Sequence, residues 1–399
     1  MPDTQTSKPS RIVLVSAYFP PTVGGTSTVL ANLVSRLAPE DVIVVTEKRQ
    51  IADKINGASV PEGIKILETH IPPTFFQNIP YIWRWERSLR FALIPKVMSL
   101  TLRAIRETKA TCIVAVYPSW PFLIGAYLAH RHTGLPLVTY HMDIPVRRSS
   151  AAAFEGFFID KFERKIALSA QKRLIISEGL VDDFRSRLGL DSTIIPHSID
   201  LDATSARLAT LPGPDMEGET RIVHTGIVEG QRECLLRIAR TLHNRPGLDA
   251  RLILCTPTPK ARLLQAGFDL PSVEIISLPQ EKVLPLQASA HILTTVLPFF
   301  LKTKEGALTC FPTKLVEYLA TNRPILIHSP AWSFLARNAR QHDYAEVVDQ
   351  PNEDALANAI WKLRQDPALR SRISQNASDY VRDFDIHKVT RQFQEACNL

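Results

Sequence analysis

At 399 residues, 45% of them hydrophobic, the chain is long enough for two ordinary domains, each with its own core. Its 47 Lys and Arg against 40 Asp and Glu leave a net charge of +7, which points to a polyanionic neighbour, although no nucleic-acid-binding motif accompanies the charge and no nucleic acid is expected as a partner. No apolar run reaches the length of a membrane span, and Met1 to Ser10 lacks the apolar core of a signal peptide, so residence in the cytosol is expected.

Arg11 to Ala17 is a continuous apolar run, the mark of a buried parallel strand. Tyr18 to Gly25 reads as a loop, and a helix opens at Thr26 with Val29, Leu30, Leu33, Val34 and Leu37 on one face. Asp41 to Thr46 returns as a second strand. The adjacent glycines Gly24 and Gly25 let a backbone come close to a phosphate or a sugar, though an ordinary structural turn has the same composition. The pattern is not the G-x-G-x-x-G of a dinucleotide site.

Next, Phe75, Phe76, Tyr81, Trp83, Trp85, Phe91 and Ile94 interleave with Arg84, Arg87, Arg90, Lys96, Arg103 and Arg106. Residues 83–106 read as one long amphipathic helix or two short ones with a basic face, which suits an anionic membrane surface. A core-packing helix whose arginines face water has the same periodicity. Thr111 to Val116 and Leu137 to Tyr140 are further strands, the second ending in His141, Met142 and Asp143. Ligands of open parallel sheets bind beyond the carboxyl ends of strands, which places His141 and Asp143 well. A second basic helix with four phenylalanines spans Arg147 to Lys165, followed by a strand at Lys172 to Ser177.

The second half restarts the scheme with a strand at Arg221 to Thr225, a loop from Gly226 to Gln231 and a helix from Arg232. A cation in a helix's first turn is unfavourable for the dipole unless an anion is bound there, so Arg232 is a candidate diphosphate clamp; a surface arginine is the plainer reading. Strands are expected at Leu252 to Cys255, Val273 to Ser277, His291 to Leu297 and Ala345 to Val348, and late helices at Glu353 to Arg364, Pro367 to Phe384 and Ile386 to Cys397. The five cysteines lack any C-x-x-C spacing and read as buried or free thiols.

Between Leu297 and Ile325 lie a polar loop and a short helix, with Pro312 in its first turn and Arg323-Pro324 stopping it. Leu315, Leu319 and Ala320 give it an apolar face, while Thr313, Lys314 and Glu317 gather near its electropositive N-terminus. That end suits a phosphate, and a carboxylate one turn further in suits a ribose diol. An ordinary capped helix with a solvated Lys and Glu fits the pattern equally.

The run from Phe311 to Ala320 with Arg323, Pro324 and Ile325 resembles the donor-nucleotide segment of family-4 glycosyltransferases. The Tyr18, Pro20, Gly24, Gly25 loop, His141 to Pro145, Ile195 to Asp200 and Gly226 to Arg232 resemble other segments of that family, in the family's order. The resemblance implies a GT-B fold, α/β, with two Rossmann-like domains whose parallel sheets face a central cleft. Residues 1–196 with a C-terminal helix at about 385–399 would form the acceptor-side domain, 197–219 a linker, and 220–384 the nucleotide-sugar-binding domain. It further implies a retaining, metal-independent enzyme without a cofactor, moving a sugar from a nucleotide-diphosphate-sugar donor to a glycan or lipid-linked acceptor, with peripheral attachment to the inner face of the membrane. Glu317 then holds the ribose; Gly24, Gly25, Thr309, Thr313, Lys314 and Leu315 line the donor; Arg232 stabilises the departing diphosphate, and His141 with Asp143 faces the reacting sugar. Two departures stand out: Thr309 occupies the place of a second Glu, and Ile227 that of an Arg. A catalytically degenerate GT-B partner protein and a nucleotide-sugar epimerase are the alternatives.

Overall fold

The computed structural model describes residues 11–22, 24–48, 59–70, 90–144, 152–216, 218–300 and 304–398. The aromatic and basic residues from Phe75 to Arg87, the segment 145–151, Leu301 to Thr303, and the side chains of Phe154, Phe157, Phe158 and Glu305 lie outside that set. The chain divides into two compact units, one of Met1–His197 with His387–Leu399 and one of Ser198–Ile386.

The first unit is built on a parallel sheet of strands β1 (Ile12–Val15), β2 (Val42–Lys48), β3 (Lys65–His70), β4 (Cys112–Tyr117), β5 (Leu137–His141), β6 (Lys172–Ile175) and β7 (Thr193–Ile194), in the order β3-β2-β1-β4-β5-β6-β7. Ile12 to Val15 are all buried because a parallel sheet is covered on both faces, which is why β1 reads as an unbroken apolar run. Strand β3 was not visible in the sequence: its residues alternate between exposed and covered positions at the sheet edge, without an apolar run. The C-terminal helix Ile386–Cys397 places Val389, Phe393 and Cys397 in the same apolar cluster as Ile12 and Leu14 of β1.

Of the basic amphipathic stretch, the described part is a 3-10 turn Arg90–Leu93, with Arg90 Nη2 donating to Glu47 Oε1 at 2.8 Å, and a helix Ile94–Thr108. Val97, Leu100 and Ala104 face the core, whereas Lys96, Arg103 and Arg106 are exposed. Its neighbour is the helix Trp120–Thr133, which ends on Gly134 in the left-handed region. The two approach closely at Gly125, where a Cβ would lie 2.7 Å from Val97 Cγ1 and 3.2 Å from the Ile94 carbonyl oxygen.

The second unit repeats the plan with strands β8 (Thr220–Thr225), β9 (Ala250–Cys255), β10 (Val273–Ile276), β11 (Ile292–Val296), β12 (Ile325–His328) and β13 (Glu346–Val348), ordered β10-β9-β8-β11-β12-β13 and parallel throughout. Alternate residues of β8 serve two cores, Ile222 on one face and Val223 on the other. The stretch read from sequence as a linker, 197–219, clusters almost entirely with this unit and contains a helix, Leu201–Leu208, whose N-terminus is capped by the Asp200 carboxylate accepting from Ala203 N at 2.9 Å. The expected polar loop before Pro312 instead contains a helix, Lys304–Thr309, so two short helices precede β12.

Replacing Gly125 with alanine should drive Val97 out of its rotamer and lower the unfolding midpoint, by roughly 1–3 kcal/mol of stability. Urea denaturation of Gly125→Ala with an unchanged midpoint would contradict the close packing of these two helices.

Candidate functional site

In both sheets the chain order reverses beside the first strand of the unit, between β1 and β4 and between β8 and β11. The carboxyl ends of the strands at such a reversal are where connecting loops part and leave room for a ligand. In the second unit β8 ends at Thr225 and turns at Gly226, whose φ of 112° lies in a region that L side chains rarely adopt. A Cβ added there would stand 3.8 Å from Lys314 Nζ, in ordinary contact, so the glycine is required by its backbone conformation and lies beside the lysine head.

Lys314 and Glu317 belong to the helix Thr313–Ala320, anchored by Leu315, Tyr318 and Leu319 in the core. Pro312 precedes it in extended backbone and no side chain caps it, which leaves its first amides open near Thr313. Leu315 N already donates to the Pro312 carbonyl at 2.9 Å and its side chain is fully buried. Leu315 therefore anchors the helix through its side chain. Thr309, at the end of the preceding helix, is buried and its hydroxyl donates to the Gly306 carbonyl at 3.3 Å.

Lys314 Nζ lies 3.0 Å from His224 Nε2 and donates to Gln231 Oε1 at 3.2 Å. His224 is buried in β8, with Nδ1 3.1 Å from the Thr294 carbonyl of β11, which takes a ring proton and leaves Nε2 to accept from the lysine. Burial, and then the charge of Lys314, hold His224 well below the usual imidazole range, so it is neutral. Burial also pulls the Lys314 ammonium down to about 7, against which the nearby Glu317 charge works only in part. The lysine is thus held by neutral acceptors, with its charge incompletely matched.

Glu317 shows the opposite shift. Burial raises its pKa, partly offset by Gln287 Nε2 donating to Oε2 at 3.0 Å and by the charge of Lys314. Gln287 is fully buried, also reaches Thr225 Oγ1 at 3.3 Å, and has an Oε1 without a hydrogen-bond partner among the described residues. The Tyr318 hydroxyl, 3.0 Å from Thr225 Oγ1, accepts from Thr225 N at 2.9 Å and ties the strand end to the helix. Glu317 has no other hydrogen-bond donor among the described residues, which leaves a carboxylate oxygen for incoming hydroxyl groups.

Arg232 is the first residue of the helix Arg232–Asn244, directly after Gln231. It is exposed, has no hydrogen-bond or ion-pair partner among the described residues, and lines a cavity of about 380 Å³ with Arg237, Arg240 and Phe300. Among the described residues no hydrogen bond connects it to the Lys314 and Glu317 group. Ile227, in the loop before it, is 59% exposed.

In the first unit His141 closes β5 with only 5% of its surface exposed, between the rings of Tyr117 and Phe184 at centroid distances of 5.9 and 5.0 Å. Burial, and secondarily the charge of Arg187, push it down to about 3, so the ring is neutral, and Nε2 is buried without a partner among the described residues. Asp143 has its pKa raised by burial, while Oδ1 accepts from Ile144 N at 2.8 Å. Gly24, in extended backbone of positive φ, caps the helix Gly25–Val34 that follows the β1 loop.

Sequence reasoning passed over His224, Gln231, Gln287 and Tyr318. His224 carried a usable signal, a titratable residue directly after the apolar pair Ile222-Val223 and two positions before the glycine turn. Gln287 carried none, since nothing local marks a glutamine in the helix Val283–Ala288 as facing a helix thirty residues away.

Residues 23–203 match the model of Glycosyltransferase Family 4. No curated protein matches the chain by sequence. Among solved structures, a sucrose-phosphate synthase from Thermosynechococcus elongatus superimposes with a TM-score of 0.68 at 16% identity, covering 97% of this chain and 98% of that one. Anabaena HepE, in complex with UDP and glucose, gives 0.66 at 14% identity, covering 98% and 99%. A putative UDP-N-acetylglucosamine 2-epimerase from Listeria monocytogenes gives 0.60 at 11% identity, covering 98% and 96%. The fold is the GT-B fold.

The shift at Lys314 has a consequence for stability. Between about pH 7 and the ordinary lysine value of 10.5, the unfolded chain holds a proton that the folded chain has released, so stability rises with pH through that window. Urea midpoints measured from pH 7 to 10 should climb more steeply in the parent than in Lys314→Met; identical slopes would place the lysine head in water.

Proposed function

We propose that this chain, which has the GT-B fold and matches Glycosyltransferase Family 4 over residues 23–203, is a retaining, metal-independent enzyme that moves a sugar from a nucleotide-diphosphate-sugar donor to a glycan or lipid-linked acceptor. The observation that carries the reading is the buried Lys314 ammonium, hydrogen-bonded among the described residues to His224 and Gln231 at the carboxyl end of β8. A diphosphate against it would supply the missing negative charge and draw its pKa back up. The open amides of the helix at Thr313 add to the same field. HepE, of the same fold, binds UDP and glucose, which supports a nucleotide-sugar as the ligand.

In this scheme Glu317, oriented by Gln287, accepts hydrogen bonds from the ribose diol. Lys314 and Arg232 stabilise the negative charge that grows on the departing diphosphate, and no further cofactor takes part. Gly24 and Gly25 give the diphosphate a side-chain-free approach, and Thr309 lies beside the transferred sugar. His141, neutral and with an unmatched Nε2, hydrogen-bonds a hydroxyl of the sugar or acceptor without adding charge near the reacting carbon. Asp143 orients that hydroxyl. The exposed Lys96, Arg103 and Arg106 of the helix Ile94–Thr108 would hold the enzyme peripherally on the anionic cytoplasmic face of a membrane. The likeness to a putative epimerase supports one second reading, inversion of a carbon within the donor.

Purified protein offered a panel of nucleotide-sugars should release free nucleotide diphosphate when an acceptor extract is added; an epimerised nucleotide-sugar formed without acceptor would select the second reading. Glu317→Ala should weaken donor binding by roughly 1–3 kcal/mol, about tenfold to a hundredfold, in calorimetry. Arg232→Ala should lower turnover more than it weakens binding, and unchanged values in both variants would remove these residues from the site. Co-sedimentation with phosphatidylserine vesicles should fall as salt rises, and no binding at low salt would exclude the membrane surface.

A further inference from the structure

The second unit has another polar recess, at the amino ends of its central strands. A cavity of about 340 Å³ opens beside Thr220 and Ile292, the first residues of β8 and β11, and beside Pro324 just before β12. The Lys314 and Glu317 group gathers at the other end of β8, where Thr225 is the last residue. Five residue steps at roughly 3.3 Å each separate those ends by about 16 Å, so the two places are distinct.

The wall of the recess is basic. It carries Arg323, Arg364 and Arg370, and among the described residues that line it there is no Asp or Glu. Arg364 is matched from outside, its Nη2 donating to Asp249 Oδ2 at 2.8 Å. Arg370 directs Nη1 to the Leu363 and Arg364 carbonyls at 2.9 and 2.6 Å and has no carboxylate partner among the described residues. Arg323 is less satisfied still. It has no hydrogen bond or ion pair among the described residues, and its Nε is buried without a partner. Asn322, at φ 56°, turns the chain out of the helix Thr313–Ala320 and delivers Arg323 to this end, with its guanidinium against Gly213.

A half-buried guanidinium with an unmet donor is costly unless something accepts from it. Burial lowers the Arg323 pKa, as expected for a cation without compensation. Arg370, Ser371, Ser374 and Gln375 follow one another along one face of the helix Pro367–Tyr380 and add hydroxyl and amide donors to the same wall. His291 contributes no free nitrogen, since Nδ1 accepts from Arg221 N at 3.0 Å and Nε2 lies 2.7 Å from the Asp215 carbonyl. Two guanidinium groups without a carboxylate partner among the described residues, with serine hydroxyls beside them, describe a receptor for a compact anion with several acceptor oxygens.

We infer that this recess binds a phosphate group, as the free ion or on a small phosphate ester, gripped by Arg323 and Arg370 with Ser371 and Ser374 in support. Its volume exceeds that of the bare ion and leaves room for a body of about one sugar ring.

Calorimetry on the full chain with inorganic phosphate and with glucose 6-phosphate tests the assignment. Saturable binding of at least one probe is expected, weakened tenfold or more in Arg323→Met and in Arg370→Met, and unchanged in Lys314→Met. Neither arginine variant removes an ion pair of the described structure, and each is an independent test. Tighter binding of glucose 6-phosphate assigns the site to esters; equal or tighter binding of inorganic phosphate assigns it to the free ion. Absence of saturable binding, undiminished binding by both arginine variants, or loss of binding in Lys314→Met would overturn the inference. Donor binding is read separately with the nucleotide-sugar panel, so failure here leaves the proposed transferase activity standing.

Discussion

The candidate site rests on one electrostatic arrangement, an ammonium group taken out of water and given neutral partners. Lys314 reaches His224 and Gln231, and neither can supply negative charge. Glu317, one turn further along the same helix, gives partial compensation but is turned toward Gln287. A fully paired lysine would gain little from a polyanion, and an exposed one would bind it weakly through screening water. Burial without full pairing makes the free site electrostatically poor and a site filled by an anion better.

That arrangement depends on the sheet. His224 and Thr225 stand at the end of β8, beside the reversal of strand order, and the Gly226 turn follows them there. The helix bearing Lys314 and Glu317 follows β11, the strand on the other side of the reversal, and Tyr318 bonds it to Thr225. Leu315 and Leu319 bury the rear of that helix, and the uncapped first turn looks outward. The packing that stabilises the unit is the same packing that aims the polar groups.

How much of this was legible in the sequence follows from range. The strands of both sheets announce themselves because burial on two faces leaves continuous runs such as Ile12 to Val15 and Leu252 to Cys255. The alternating edge strand Lys65–His70 does not, and the capped helix Leu201–Leu208 was hidden in a stretch read as linker. Lys314 and Glu317 were conspicuous, being three residues apart on one short helix. Their partners were not, because Gln231, in the turn before a helix, and Gln287, on another helix, arrive from 83 and 30 residues away, and only the strand order brings them in. The sequence also could not tell a solvated lysine from a buried one, and that is the difference on which the functional reading turns.

The departures at Ile227 and Thr309 can be weighed in the same terms. With Ile227 exposed at 59% and carrying no charge, the cations left near the Gly226 turn are Lys314, held by hydrogen bonds, and Arg232, unrestrained at a helix start. A held cation contributes its field before the reaction begins, whereas a free arginine must be ordered by the ligand it binds. Under the proposed reading, Lys314 therefore acts chiefly on the bound donor and Arg232 on the diphosphate as it departs. Thr309, uncharged where a second carboxylate would stand, removes a repulsion toward the donor and lowers the cationic charge the site must supply. Under that same reading, one cation fewer at Ile227 and one anion fewer at Thr309 leave the net charge facing a diphosphate unchanged.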